Sequence, residues 1–136
     1  MPPGPTTKRQ RAALAATVCV PLGLGLKGAS TGGLPPWVAD HLAGSIYVLF
    51  WCFVVLALRP SSRAAVVISA VVLATCGLEF LQLSDAEWLV TLQQHPLGGL
   101  LLGSTFSWID LPFYALGGAL AGAVANRLGW RRRPQA

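Results

Sequence analysis

Five polar side chains occupy positions in or beside long apolar stretches of the chain. Glu79 is the only acidic residue inside any of those stretches, and Gln82 follows it three residues later. Asp40 and His41 begin a second stretch, and Asp110 comes just before the last one. An ionisable group is costly in lipid, so such a residue is by default a candidate functional site. These five residues form the candidate ligand-binding set.

The chemistry open to this set has several forms. Glu79 alone would serve as the titrating group of a small proton-coupled transporter, and Glu79 with Asp110 would serve as acid and base in an enzyme acting on a lipid-linked substrate. Each residue also has a structural alternative: Glu79 as a hydrogen-bonded packing element, Asp110 as a helix cap, and His41 as a solvated interfacial residue. The residue types alone leave these alternatives open.

The sequence offers little support for catalysis. It contains no Gly-x-Ser-x-Gly, no phosphate-binding loop and no metal-ligand spacing, and it has only two histidines and five acids. We therefore assign no catalytic residue, no metal and no cofactor. A protein without enzymatic activity is the better-supported interpretation. Cys19, Cys52 and Cys76 lie inside apolar stretches without a CxxC pattern, where they act as small hydrophobic residues.

Composition predicts an all-α integral membrane protein. The chain has 136 residues, of which 54% are hydrophobic and 11% are charged, whereas about a quarter of a soluble domain is charged. The charges form short blocks between apolar runs of the length that a membrane span requires. A single transmembrane domain at 12–128 is expected, and its four spans are predicted at about 12–26, 38–58, 64–83 and 111–128. Helices are expected because so short a chain cannot close a barrel.

Basic residues predict the orientation. With four spans both termini share a side, and that side holds nine of the ten Lys and Arg residues: Lys8, Arg9, Arg11, Arg59, Arg63, Arg127, Arg131, Arg132 and Arg133. Only Lys27 lies on the opposite side. The positive-inside rule therefore predicts cytoplasmic termini, with a disordered tail at 1–11 and a basic tail at 129–136. The net charge of +5 then indicates contact with membrane lipids and not with nucleic acid.

The first span has an alternative interpretation. Three basic residues followed by about fifteen apolar ones also fit a signal peptide, with small residues around Gly28 and Ser30 as a cleavage region. Lys27 disfavours cleavage there, so the preferred interpretation is that the first helix is retained as a membrane span.

This topology places the candidate residues at one depth. Counted from Arg63 at about 1.5 Å per residue, Glu79 is roughly 24 Å into a hydrocarbon core of about 30 Å. Gln82 lies about one turn nearer the outer surface on the same helix face. Asp40, His41 and Asp110 begin their helices at that level. The five residues are therefore expected to converge in one outer polar layer.

The segment at 84–110 is expected to be interfacial or re-entrant. Ser84 or Asp85 is a candidate cap for a short helix, and residues 96–103 are too few to span and too apolar for a free loop. Trp108 is expected at headgroup depth, with Asp110 as the N-cap of the last helix.

Small residues dominate the last span. Gly117, Gly118 and Gly122 predict helix packing, and Gly118 with Gly122 forms a small-xxx-small face that allows close approach. The partner helix could belong to the same chain, to a second copy or to another subunit of a membrane complex.

Three segments together resemble a known family. They are Ala43-Gly44-Ser45-Ile46-Tyr47-Val48-Leu49-Phe50-Trp51, Leu78-Glu79-Phe80-Leu81-Gln82-Leu83 and the run from Leu97 to Tyr114 that contains Phe106-Ser107-Trp108-Ile109-Asp110. They resemble domain of unknown function 2809, a family of small bacterial membrane proteins, over about 35–123. Family members often carry an Arg where this chain has Gln93-Gln94-His95. Glu-x-x-Gln on one helix and an Asp opening the next are also similar to the VanZ family, associated with glycopeptide resistance.

The resemblance implies a bacterial cytoplasmic membrane protein without an assigned reaction. Our leading expectation is that the outer polar layer binds a lipid headgroup or amphiphile. The alternatives are the oligomeric proton-coupled transporter, the enzyme on a lipid-linked substrate, and a structural subunit of a membrane complex.

Overall fold

The computed structural model of the protein describes residues 1, 3–28, 33–103 and 105–130. Over those residues the fold is all-α and contains six helices. The helices are α1 (Pro5–Gly28), α2 (Pro36–Leu58), α3 (Ala64–Leu81), α4 (Glu87–Gln94), α5 (Pro96–Leu102) and α6 (Asp110–Leu128).

Among the described helices, α2 and α3 are long and apolar enough to cross a membrane. α2 has 23 residues and α3 has 18, and neither contains a basic residue. α1 contains basic residues near both of its ends, and α6 contains Asp110 and Arg127 together with several glycines. The fold is thus an all-α arrangement with two helices that meet the requirements of a membrane span.

The four long helices alternate in direction. One hydrophobic cluster joins the beginning of α1 and α3 to the end of α2 and α6; its buried members are Ala12, Ala16, Phe53, Leu56, Val67, Ala125 and Trp130. Arg11 donates from Nη1 to the carbonyl oxygen of Leu128 at 3.0 Å, and the Lys8 ammonium lies 5.5 Å from the Trp130 ring. The start of α1 is therefore held against the end of α6.

This alternation separates the charges. All five acidic residues, Asp40, Glu79, Asp85, Glu87 and Asp110, fall at one end of the helices, which we call the acidic end. Lys8, Arg9, Arg11, Arg59, Arg63 and Arg127 fall at the other, the basic end. Of the described basic residues, only Lys27 shares the end with the acids.

Small residues let α6 approach two helices at once. Gly117, Ala121 and Ala125 are buried at intervals of four residues and face α2, because a Cβ at Gly117 would lie 2.5 Å from the Ser45 carbonyl oxygen. Gly118 faces α3, where a Cβ would lie 2.6 Å from Val72 Cγ2. These close contacts are within one chain.

Several local predictions differ from the structure. The predicted disordered tail at 1–11 is wrong from Pro5 onward, because α1 begins there and its first turns contact α6. The segment at 84–110 contains α4 and α5, and neither Ser84 nor Asp85 caps α4, which begins after Ala86 without a side-chain cap. Asp110 is the first residue of α6 and not its N-cap, which is Ile109. Of the basic tail at 129–136, residues 131–136 lie outside the described part of the chain.

The glycines of α6 provide a test of the packing. Gly117→Ala should lower the free energy of unfolding by about 1 to 3 kcal/mol, because the new methyl group would overlap the backbone of α2. Gly122→Ala is the matched control, since a Cβ there would meet only Ile68 Cδ1 at 3.9 Å. Unfolding of both variants in detergent is the measurement, and equal stability of the two would contradict the close approach of α6 to α2.

Candidate functional site

The carboxyl of Glu79 is the centre of a buried polar network. Its side chain is in the last turn of α3, and the residue is 2% exposed. The Ser107 backbone N–H donates to Oε1 at 2.7 Å, and the Tyr114 hydroxyl donates to Oε2 at 2.8 Å. Gln82 Nε2 makes a longer contact with Oε2 at 3.4 Å. The carboxyl accepts in all three interactions, so both of its oxygens have partners inside the protein.

Helix direction explains why these groups meet. α3 ends where α6 begins, so the last turn of α3 faces the first turns of α6. Thr75, four residues before Glu79, is buried on the same face, and its hydroxyl donates to the Val71 carbonyl within α3. Tyr114 is four residues into α6 and extends back toward α3. Glu79 thereby links α3, α6 and the connector between α5 and α6.

Gln82 fixes the other side of this connector. Its Nε2 donates to the Leu102 carbonyl at 2.6 Å, and the next residue, Gly103, has a φ of 70°. A Cβ at Gly103 would also lie 2.7 Å from that nitrogen, so both the backbone conformation and the available space favour glycine. The Tyr47 hydroxyl donates to the Leu101 carbonyl at 2.8 Å. The turn that follows α5 is thus held by a side chain of α2 and by Gln82, the residue that follows α3.

A second polar pair lies beside this network and is more open. His41 Nδ1 and Asp110 Oδ1 are 2.5 Å apart, and the two side chains are 13% and 20% exposed. The His41 ring stacks on Phe113 with centroids 5.2 Å apart, and Trp37 lies edge-on at 6.2 Å. One turn further along α2, the Ser45 hydroxyl donates to the Phe113 carbonyl at 2.8 Å. α2 and α6 are therefore joined by two successive polar contacts.

The two carboxyls have different partners. Asp110 is close enough to Glu79 for the carboxyls to interact, yet Asp110 pairs with an imidazole while Glu79 is held by uncharged donors. With Nδ1 engaged by Asp110, Nε2 of His41 has no partner among the described residues. The His41–Asp110 pair is consequently more accessible than the Glu79 carboxyl.

The structure brings together four of the five candidate residues. Glu79, Gln82, Asp110 and His41 are in one layer, whereas Asp40 is exposed and its side chain takes no part in the network. Of the packing residues, Gly117 and Gly118 make close contacts, while Gly122 has room around it. Within the described residues, no three His, Cys, Asp or Glu side chains are grouped to hold a metal ion.

Sequence reasoning missed several partners in this layer. Tyr114 stands four residues after Asp110, and Ser45 stands four residues after His41, so helical spacing of polar residues is a pattern that would have indicated both. The Ser107 contribution is a backbone N–H, which no side-chain pattern can indicate.

The part of the chain that contains this site matches a known protein family. The sequence model of the family described as protein of unknown function (DUF2809) matches residues 33–118, which is more than half of the chain and includes all four residues of the polar layer. No solved structure matches the chain.

Substitution of Glu79 tests its role as an acceptor. Glu79→Gln should lower the free energy of unfolding by about 1 to 3 kcal/mol, because an amide NH₂ would face donors that now meet an oxygen. Glu87→Gln makes the same chemical change on the exposed face of α4 and should leave stability unchanged. Denaturation in detergent compares the two variants. Stability equal to that of the wild type in Glu79→Gln would show that the carboxyl is not held as an acceptor.

Proposed function

We infer that this chain, which belongs to DUF2809, a family of proteins of unknown function, is a four-span protein of the bacterial cytoplasmic membrane that binds an amphiphile. In this proposal the headgroup binds at the acidic end, which faces outward, and both termini are cytoplasmic. The His41–Asp110 pair contacts the headgroup, while Glu79 and Gln82 hold the surrounding helices in place.

Charge separation supports the orientation. Six of the seven described Lys and Arg residues share one end, which is the distribution that the positive-inside rule predicts for an inward-facing basic end. The outer surface of α1 supports its inclusion as a span, because large apolar side chains are exposed there: Leu14, Val18, Leu22 and Leu24. Leu116 and Leu120 are similarly exposed on α6. Lipid would cover such surfaces, which a monomer in water rarely presents.

The partial exposure of the His41–Asp110 pair is the observation that carries the binding proposal. Glu79 is enclosed and already accepts from three donors, so a ligand would have to displace those contacts. His41 is held by Asp110 on one nitrogen and by stacking on Phe113. Its second nitrogen has no partner among the described residues, and it is the atom that would accept from an external hydroxyl. The exposed Trp37 and Trp108 suit the headgroup region, where indole rings concentrate. A hydroxyl of an amphiphile fits this position, because a neutral ring whose Nδ1–H donates to Asp110 has an acceptor at Nε2.

The same pair motivates a second candidate function. A carboxylate that orients an imidazole is the arrangement of a general base, so His41 with Asp110 would activate water or a hydroxyl against a lipid-linked substrate.

The alternatives that depend on Glu79 or on the glycines have less support. Glu79 is a weaker candidate for the acid or base, because both of its carboxyl oxygens already accept hydrogen bonds. A proton-coupled transporter has less support for the same reason. A role as an oligomer or complex subunit is not supported by Gly117 and Gly118, which contact helices of their own chain.

Cysteine labelling tests the four-span topology. In a variant without the native cysteines, Asp85→Cys should react with an impermeant thiol reagent added outside intact cells, because it is exposed at the acidic end. Ser61→Cys, exposed in the turn between α2 and α3, should react only after the membrane is opened. The reverse pattern would show that the acidic end is cytoplasmic.

Lipid retention tests the headgroup site. Protein purified in mild detergent and supplied with a bacterial polar lipid extract should retain an amphiphile detectable by native mass spectrometry. His41→Ala should weaken that retention about tenfold, since the hydrogen bond between the headgroup and the imidazole is lost. Asp40→Asn is the control, because it alters the adjacent exposed residue and should retain the same amphiphile as the wild type. An amphiphile retained equally by His41→Ala would place the binding site elsewhere.

A further inference from the structure

The basic end of the protein has a groove that the outer polar layer does not involve. The groove lies between α2 and α3 and has a volume of about 440 Å³. Arg59, Ser62 and Arg63 line its mouth in the turn between the two helices. Its walls are apolar and include Val55 from α2 with Val66 and Ala70 from α3.

Small side chains and loose packing create this groove. α2 packs much more extensively against α1 and α6 than against α3. Ala70 and Ala74 are one turn apart on α3, and both are exposed along the groove. From Val66 to Ala74 the groove extends about 12 Å along α3, which is close to the depth of one leaflet of a bilayer. Its shape therefore suits an acyl chain lying along the helices.

The positive charges at the entrance of the groove favour a negatively charged ligand. Arg59 and Arg63 are exposed, and no carboxylate side chain is near them, because all five acids of the sequence are at the opposite end. A phosphate group would supply the missing negative charge, and Ser62 adds a hydroxyl donor. A second groove, between α1 and α2, has a volume of about 600 Å³ but is lined by apolar residues and Thr17, with no charged residue at its mouth. Of these two grooves, the one between α2 and α3 combines an apolar wall with a cationic entrance.

We propose that the α2–α3 groove binds one acidic phospholipid, with its phosphate between Arg59 and Arg63 and an acyl chain against Ala70 and Ala74. This site is independent of the headgroup site at His41, since it lies at the other end of the helices. It would fix the basic end at the surface of the leaflet that holds anionic lipid.

Competition between lipids of equal chain length tests the proposal. Phosphatidylglycerol and phosphatidylcholine are titrated into the full-length protein in neutral detergent, and bound lipids are counted by native mass spectrometry. The wild type should prefer phosphatidylglycerol, and the Arg59→Gln, Arg63→Gln double variant should lose about fivefold in affinity for each arginine removed. The Arg9→Gln, Arg127→Gln double variant removes the same charge from exposed positions outside the groove and should bind within twofold of the wild type.

A second pair of variants tests the apolar wall. Ala70→Leu fills the groove without changing charge and should reduce phosphatidylglycerol binding, whereas Ala65→Leu, exposed on α3 outside the groove, should not. His41→Ala should leave phosphatidylglycerol binding intact, which separates this site from the outer one. Equal losses in the two arginine double variants, or unchanged binding in Ala70→Leu, would overturn the proposal in favour of diffuse attraction to the basic end.

Discussion

The need to accommodate one buried carboxyl governs the arrangement of the acidic end. The Glu79 carboxyl would be unstable in an apolar surrounding without partners. Its three donors come from Gln82 just after α3, from the connector after α5, and from α6. Each of these contacts fixes an element relative to α3. The connector must bring the Ser107 N–H to Oε1, and this in turn fixes where α6 begins.

Two kinds of polar interaction therefore occur side by side. The Glu79 contacts are enclosed and complete, so they specify structure, whereas the His41–Asp110 contact leaves one ring nitrogen without a partner among the described residues. The stacking of His41 on Phe113 and the Ser45 hydrogen bond hold this pair in place. A rigid scaffold next to a partly open polar pair is the usual organisation of a binding site.

The sequence was informative where helical periodicity and helix ends determine position. The start of α3 and the end of α2 follow from apolar runs between charged blocks, and the structure places both helix ends there. The depth of the polar layer in a membrane stays a prediction. Adjacent residues on a helix differ by about 100° in direction, so the pair Asp40 and His41 could not both face inward, and composition did not indicate which would. The start of α1 was missed because its order depends on contacts with α6, which are distant in sequence. Asp110 was expected to cap its own helix, but its interaction with His41 is also a tertiary contact.

The order of synthesis gives the Glu79 network a further consequence. Ser107 and Tyr114 follow Glu79 by 28 and 35 residues, so α3 leaves the ribosome before two of the three donors exist. During that interval the carboxyl would face the cost of entering lipid without its partners. Its location in the final turn of α3 would reduce this cost in the proposed topology, because the side chain lies near the outer end of the proposed span. In the proposed four-span topology, α3 would therefore reach its final position only after α6 has been made and has supplied the Tyr114 hydroxyl.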